Sequence, residues 1–261
     1  MNEYLYHYTS IETLALILKN RTIRFNNLLN VDDPEEAETK DLGLSGKHCL
    51  VSCWTKSSED TLPMWNMYTP RMKGVRIKMK MNPFKKYTYN KGDMYFSEKT
   101  LSCIDYKGEY VNKVTIAAEC PITAEVVYTN DEDLLHPQIR SQTKNEICVS
   151  FEKIGRHKRK CWAFQNEYRY IITTAPWTID ELENVKTVEE QIQIFDRLLD
   201  NDNKQICNEM YLALSDDAFE GMEILLAPKT SDPEYIIVQA LLEKYCANID
   251  VKLSKSRIRV R

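Results

Sequence analysis

Two periods of hydrophobic and polar positions alternate along this 261-residue chain and divide it into strands and helices. Residues 4–9 form a short aromatic run with His7 inside it, which reads as a strand. Ser10 is placed to cap a helix over 11–20, where Leu14, Ile17 and Leu18 share one face. Residues 22–26 read as a second strand, followed by an acidic loop to residue 36 with Asp33-Pro34 as its turn signal. Residues 49–55 read as a third strand and 63–68 as a short aromatic helix. Between 73 and 81 the alternation is strict, with Val75, Ile77 and Met79 on one face and Arg76, Lys78 and Lys80 on the other. This predicts a half-buried strand with a basic outer face.

The second half continues the mixture. Segments 100–106, 111–117 and 124–129 read as strands. Residues 137–158 are expected to form a long helix with Ile139, Ile147, Phe151 and Ile154 inward and a basic end. An aromatic, β-branched strand is predicted over 167–174. Thr187 to Glu190 is a capping box opening a helix that buries Val188, Ile192, Phe195 and Leu199. A further helix is expected over 204–214, a strand over 222–227, a helix opened by Asp232-Pro233 to about 245, and a last strand over 249–253. No repeat or linker interrupts the pattern, so the simplest reading is one α+β domain with a mostly antiparallel sheet.

Composition narrows the chemistry. At 43% hydrophobic and 28% charged, the chain can bury a sizeable core. It has seven Gly and no G-x-G-x-x-G or P-loop, so Rossmann and kinase-type nucleotide sites have no support. Eight scattered Cys, no C-x-x-C and a polar N-terminus predict reduced thiols and a cytoplasmic location. No metal pattern stands out, and no apolar run reaches the ~18 residues of a membrane span. Net charge is −4, yet residues 69–91, 153–160 and the last ten are basic. Such clusters on an acidic chain suggest a local polyanion site, and Arg156, Lys158, Arg159 and Lys160 are its candidate nucleic-acid contacts.

The most informative stretch runs from Lys160 to Tyr170. Residues two apart on a strand share a face, so Gln165 and Glu167 are expected to project side by side. The acid can then hold a ribose hydroxyl and the amide an incoming nucleophile. The plainer alternative pairs Glu167 with Arg169 as an ordinary edge-strand ion pair.

The chain resembles the ADP-ribosyltransferase superfamily, and within it a bacterial family of that fold. The similarity is carried in order by His7-Tyr8-Thr9-Ser10 and its Ile/Leu-rich helix, the turn from Asn30 to Glu35, the Ser52–Trp54 strand, the Met64–Val75 segment and the Trp162–Arg169 strand. It implies a mostly antiparallel split β-sheet with flanking helices over residues 1–261, with a helical insertion around 178–218. It implies NAD as substrate and no metal. Glu167 would be the catalytic acid and Gln165 the acceptor-positioning residue. His7 would bind the adenosine-side ribose with Tyr8 and Thr9 beside it, Ser52 would shape the nicotinamide pocket, Trp54 or Tyr68 would stack there, and Arg24, Arg71 or Lys73 would meet the pyrophosphate.

The resemblance further implies a mono-ADP-ribosyltransferase acting as a toxin or phage-defence effector, with a cognate antitoxin as partner. Family members usually carry Glu where this chain has Gln165. Gln-x-Glu is similar to enzymes that modify an amide or a guanine amine, and together with the basic clusters it favours a nucleic-acid acceptor over a protein one. The competing expectations are an NAD glycohydrolase and an inactive NAD- or nucleic-acid-binding module.

Overall fold

The computed structural model describes residues 4–93, 96–108, 115–116, 118–143, 147–199 and 207–261. In chain order its strands are β1 (Tyr4–Thr9), β2 (Thr22–Asn27), β3 (Cys49–Thr55), β4 (Val75–Lys80), β5 (Tyr87–Tyr89), β6 (Thr100–Ser102), β7 (Thr115–Ile116) and β8 (Ile122–Glu125). They continue with β9 (Val127–Thr129), β10 (Arg140–Gln142), β11 (Ile147–Val149), β12 (His157–Arg159), β13 (Glu167–Ala175), β14 (Glu209–Ala213), β15 (Glu223–Leu226) and β16 (Lys252–Lys255). The helices are α1 (Ile11–Asn20), α2 (Leu62–Tyr68), α3 (Glu132–Leu135), α4 (Ile179–Glu183), α5 (Val188–Asp196) and α6 (Asp232–Tyr245). The protein is therefore α+β, with a mainly antiparallel sheet.

Ten strands build the principal sheet in the order β14-β2-β3-β1-β4-β15-β16, with β13 joined to β3 and carrying β7 and β8. The strand β3 organises it. One edge of β3 is covered by β13 along its whole length, from Thr55 opposite Glu167 to Cys49 opposite Thr173. The other edge is shared: β2 pairs at Leu50 and Val51, while β1 pairs only at Thr55. Along residues 52–54 the strands β1 and β2 part, and a cleft opens over the split.

Alternation explains the burial. On β4, Val75, Ile77 and Met79 face the main core, where Leu14, Ile17 and Leu18 of α1 and Val238 and Leu242 of α6 also pack. Ser10 caps α1 by accepting from Thr13 N, and Arg21 ends it in the left-handed region at φ 52°. The outer face of β4 is basic, as expected, but it is not a free polyanion site. Lys78 meets Glu223 directly across the β4–β15 ladder, Lys80 meets Glu220 and Asp217, and Lys73 meets Glu234.

Several expectations fail on inspection of the fold. The described residues of 137–158, which leave out 144–146, are not a helix but the antiparallel β10–β11 pair, a turn and β12. Ile139 and Ile154 are buried as expected, in a side cluster with Leu28 and Ile171, but extended chain delivers them. The Asp41 carboxylate accepts from the backbone of Ile139 and Arg140, and Gly155 turns at φ 73°, so the segment satisfies its backbone outside a helix. Residues 209–213 form a strand rather than the end of a helix, because Met210 and Leu212 alternate into the core against β2. Residues 204–206 of that expected helix lie outside the described residues.

The helix α5 exists with its capping box, yet Val188, Ile192 and Phe195 are exposed, so its apolar stripe does not face the core. The strand expected over 111–117 lies outside the described residues except for β7. The one expected over 100–106 shortens to β6, and that over 124–129 breaks at Val126, whose N–H donates to the Glu167 carbonyl. The strand expected over 249–253 is β16, three residues later. No helix among the described residues is long and apolar enough to cross a membrane.

His48, buried at the entry to β3, packs edge-on against Phe151. Burial, then the neighbouring Lys47 charge, pushes its pKa down to about 4. The unfolded chain binds a proton near pH 6.5 that the folded chain refuses until about pH 4. Stability from this group is therefore full above pH 6.5 and is lost as the pH falls towards 4, by about 3 kcal/mol in all. Urea unfolding between pH 7 and 5 is expected to show that slope in the wild type and a shallower one in His48→Gln.

Candidate active site

Glu167 opens β13, and the turn before it sets the geometry. Residues Lys160–Gln165 wind as a 3-10 segment, and Asn166 reverses the chain at φ 43°, ψ 53°. Gln165 therefore leaves the strand, and the pleat does not place it beside Glu167. The two side chains still meet, because the Lys158 ammonium bridges them at 2.9 Å from Gln165 Oε1 and 2.8 Å from Glu167 Oε2. An ammonium only donates, so the Gln165 oxygen must face Lys158, and its NH2 group donates to Tyr68 Oη.

The plainer ion pair is also present. Arg169 Nε donates to Glu167 Oε1 at 2.5 Å and Nη2 to Oε2 at 3.1 Å, with β13 buried between β3 and β8 rather than at an edge. Arg169 Nη1 reaches Gly155 O at 2.9 Å and Glu36 Oε2, and Lys158 lies 3.1 Å from Glu36 Oε1. Two carboxylates and two cations thus form a closed quartet whose side chains are 0–5% exposed.

Its electrostatics are self-consistent. Burial alone would raise the Glu167 pKa, but the charges of Arg169 and Lys158 outweigh it and hold the carboxyl well below the usual range. Burial opposes the Lys158 charge and Arg169 repels it, yet Glu167 and Glu36 raise its pKa overall. Burial pushes the Cys53 thiol upward, and the adjoining Glu167 carboxylate adds to that. Tyr68 is raised by burial first and then by the Glu167 and Asp32 carboxylates.

Two adjoining pockets share Glu167. The aromatic one, of about 90 Å³, is walled by His7, Tyr8, Trp54, Met64, Tyr68 and Gln165. The wider cleft, of about 330 Å³, lies over the β1–β2 split and takes in Thr9, Arg24, Asp32, Ser52, Lys158 and Arg169. His7 Nδ1 lies 2.9 Å from the Cys53 carbonyl and must donate to it, which leaves Nε2 as an acceptor. Burial keeps the ring neutral, against the opposing pull of that bond.

Among the aromatics, Trp54 is the more buried: it packs 5.0 Å from His7, and its Nε1 donates to Ser52 Oγ at 3.0 Å. Tyr68 is half-exposed on α2. Arg24 pairs with Glu209 at 2.8 Å on the cleft rim, and Arg71 is exposed at φ 52°.

The four expected nucleic-acid contacts do not share one exposed face. Lys158 is internal, and Arg159 is held by Glu35 at 2.5 Å and Glu132 at 3.0 Å. Arg156 is half-buried, and of the four only Lys160 is exposed. Because 153–160 is turn and strand rather than a helix end, its side chains spread to different faces. Sequence reasoning missed Glu36, whose partner Arg169 is 133 residues away. It also missed Cys53, Asp32 and Tyr128, whose hydroxyl accepts from Glu167 N at 2.8 Å. Among the described residues no group of His, Cys, Asp or Glu is arranged to hold a metal ion.

Comparison with known proteins adds a family without an assigned role. Residues 64–170 match the model of a family described as "Protein of unknown function (DUF2971)". The matched span takes in Tyr68, Gln165 and Glu167 and stops short of His7 on the N-terminal side. No curated protein and no solved structure matches the chain.

The quartet predicts unequal costs of substitution. Glu36→Ala leaves the buried Arg169 and Lys158 with a single counter-charge and is expected to cost about 3–5 kcal/mol in urea unfolding. Glu36→Gln keeps an oxygen for Arg169 and is expected to cost clearly less; equal losses in the two variants would contradict the ionic reading.

Proposed function

We propose that the protein is an NAD-dependent mono-ADP-ribosyltransferase. One observation carries the reading: His7 of β1, Trp54 of β3, Tyr68 of α2 and Glu167 of β13, spread over 160 positions of the chain, line one pocket. That pocket opens beside a wider cleft of about 330 Å³ lined by Thr9, Arg24 and Ser52.

In this reading the aromatic pocket takes nicotinamide, with Tyr68 against the ring. His7 Nε2 accepts from a ribose hydroxyl, and Arg24 on the rim faces the pyrophosphate. The nicotinamide C–N bond breaks with its electron pair leaving on nicotinamide, and the ribose carbon gains oxocarbenium character. The Glu167 carboxylate stabilises that charge in a site walled from water. An acceptor then bonds to the same carbon and gives up its proton.

The acceptor is a guanine-type amine or a protein side chain. Of the grounds for favouring nucleic acid, Gln165, Lys158 and Arg159 are engaged by other side chains while Lys160 is exposed, which narrows the support for that preference. Unrestrained activity of this kind would poison its host. The reading therefore includes a role as a cytoplasmic toxin or phage-defence effector with an antitoxin partner.

A second reading, an NAD-binding module without turnover, is favoured by one feature. Both Glu167 oxygens already accept from Arg169 and Lys158. Purified protein, labelled NAD and separate pools of RNA, DNA and cell protein distinguish the readings. Transfer of label to one pool is the expected result, release of nicotinamide alone would indicate a glycohydrolase, and binding without release would indicate the module. Glu167→Gln is expected to slow nicotinamide release by about 10²–10³ while NAD binding persists. A melting curve taken alongside separates lost chemistry from lost fold.

A further inference from the structure

We propose that Lys158 is a displaceable counter-ion of Glu167: it holds Glu167 Oε2 here and yields that atom to a hydroxyl of a bound ribonucleotide. The proposal rests on the reading of the cleft as an NAD site.

A carboxylate offers about four acceptor positions. On Glu167, Oε2 accepts from Lys158 Nζ at 2.8 Å and Arg169 Nη2 at 3.1 Å. Oε1 accepts from Arg169 Nε at 2.5 Å, and the Cys53 thiol donates to the same carboxylate. A ribose hydroxyl that is to donate to Glu167 must displace one of these donors.

Arg169 is poorly suited to leave. It sits on the same strand, is wholly buried, and is tied at once to Glu167, Glu36 and Gly155 O. Lys158 differs in two respects, although both residues line the wider cleft. It belongs to β12, which pairs with β9 in a two-stranded sheet apart from the principal one. Its ammonium hydrogen-bonds Gln165 Oε1 at 2.9 Å and Glu167 Oε2 at 2.8 Å, and lies 3.1 Å from Glu36 Oε1 as an ion pair. Giving up one keeps the other two, and the Trp162 ring 5.4 Å away offers a further seat for the ammonium.

A hydroxyl is both donor and acceptor. Inserted between the two groups, it donates to Glu167 Oε2 and accepts the freed Lys158 N–H. Neither Glu167 Oε2 nor the Lys158 ammonium then loses a partner, and Lys158 stays beside the new oxygen as a positioning residue. A ligand lacking that hydroxyl would leave Lys158 where it is.

The test crosses one substitution with one ligand atom. Wild type and Lys158→Met are titrated with NAD and with its analogue lacking the 2′-hydroxyl on the nicotinamide ribose. Tryptophan fluorescence is read after rapid mixing, before turnover. In the wild type the hydroxyl should matter little, because it must first part Lys158 from Glu167. In Lys158→Met the hydroxyl meets an uncontested acceptor, and NAD should bind about tenfold tighter than the analogue. The same ratio of affinities in both proteins would overturn the proposal, since a structural lysine changes both ligands alike. Absence of NAD binding to either protein, with cooperative melting intact, would overturn the NAD reading of the cleft and this proposal with it. If Lys158→Met does not fold, Lys158→Met with Glu36→Gln keeps the remaining Arg169–Glu167 pair neutral and carries the same comparison.

Discussion

Everything around the candidate site depends on one constraint: an arginine with no access to water must be neutralised from within. Taking ions of this size out of water costs several kcal/mol each, and only close opposite charges offset it. Arg169 meets that requirement with Glu167 from its own strand and Glu36 from a distant loop, while Lys158 makes up the count of cations. The quartet therefore ties three chain segments together at the floor of the cleft. It gives Glu167 a fixed direction and keeps it ionised, which are the two properties asked of an electrostatic stabiliser.

The cleft has a different origin. It exists because β3 cannot satisfy β1 and β2 along the same stretch of edge, so the two strands share it and part. Backbone at such a split borders the cleft rather than closing a ladder. The Cys53 carbonyl turns to His7, and this fixes which imidazole nitrogen faces the ligand space. The fold thus sets the protonation pattern of the site before any ligand is considered.

Much of this was legible in the sequence, for identifiable reasons. The elements β1, α1, α2, β4 and α6 announce themselves by the period of their buried positions, and β3 and β13, buried on both faces, by their β-branched and aromatic runs. His7, Trp54, Tyr68 and Glu167 could be nominated from short motifs on those elements. What stayed hidden depends on contacts far apart in the chain. Glu36 looks like any acid in an acidic turn, and Lys158 looks like one more charge in a basic run, until the fold brings each to Arg169. The segment 137–158 misled because apolar residues at near-helical spacing also suit paired strands and a turn, from which Ile139, Phe151 and Ile154 pack on a side cluster. Met210 and Leu212 alternate with period two, and a helix was read over them.

Asn166 illustrates how a residue outside the chemistry can govern it. It is exposed and faces neither pocket, yet its left-handed backbone lifts Gln165 off the strand and turns the amide towards Lys158 and Tyr68. Asn and Gly enter that region at little cost, whereas a β-branched residue resists it. Variation at 166 is therefore confined by conformation rather than contact. A search for important positions based on proximity to the ligand space would pass over the hinge that orients half of the Gln165–Glu167 pair.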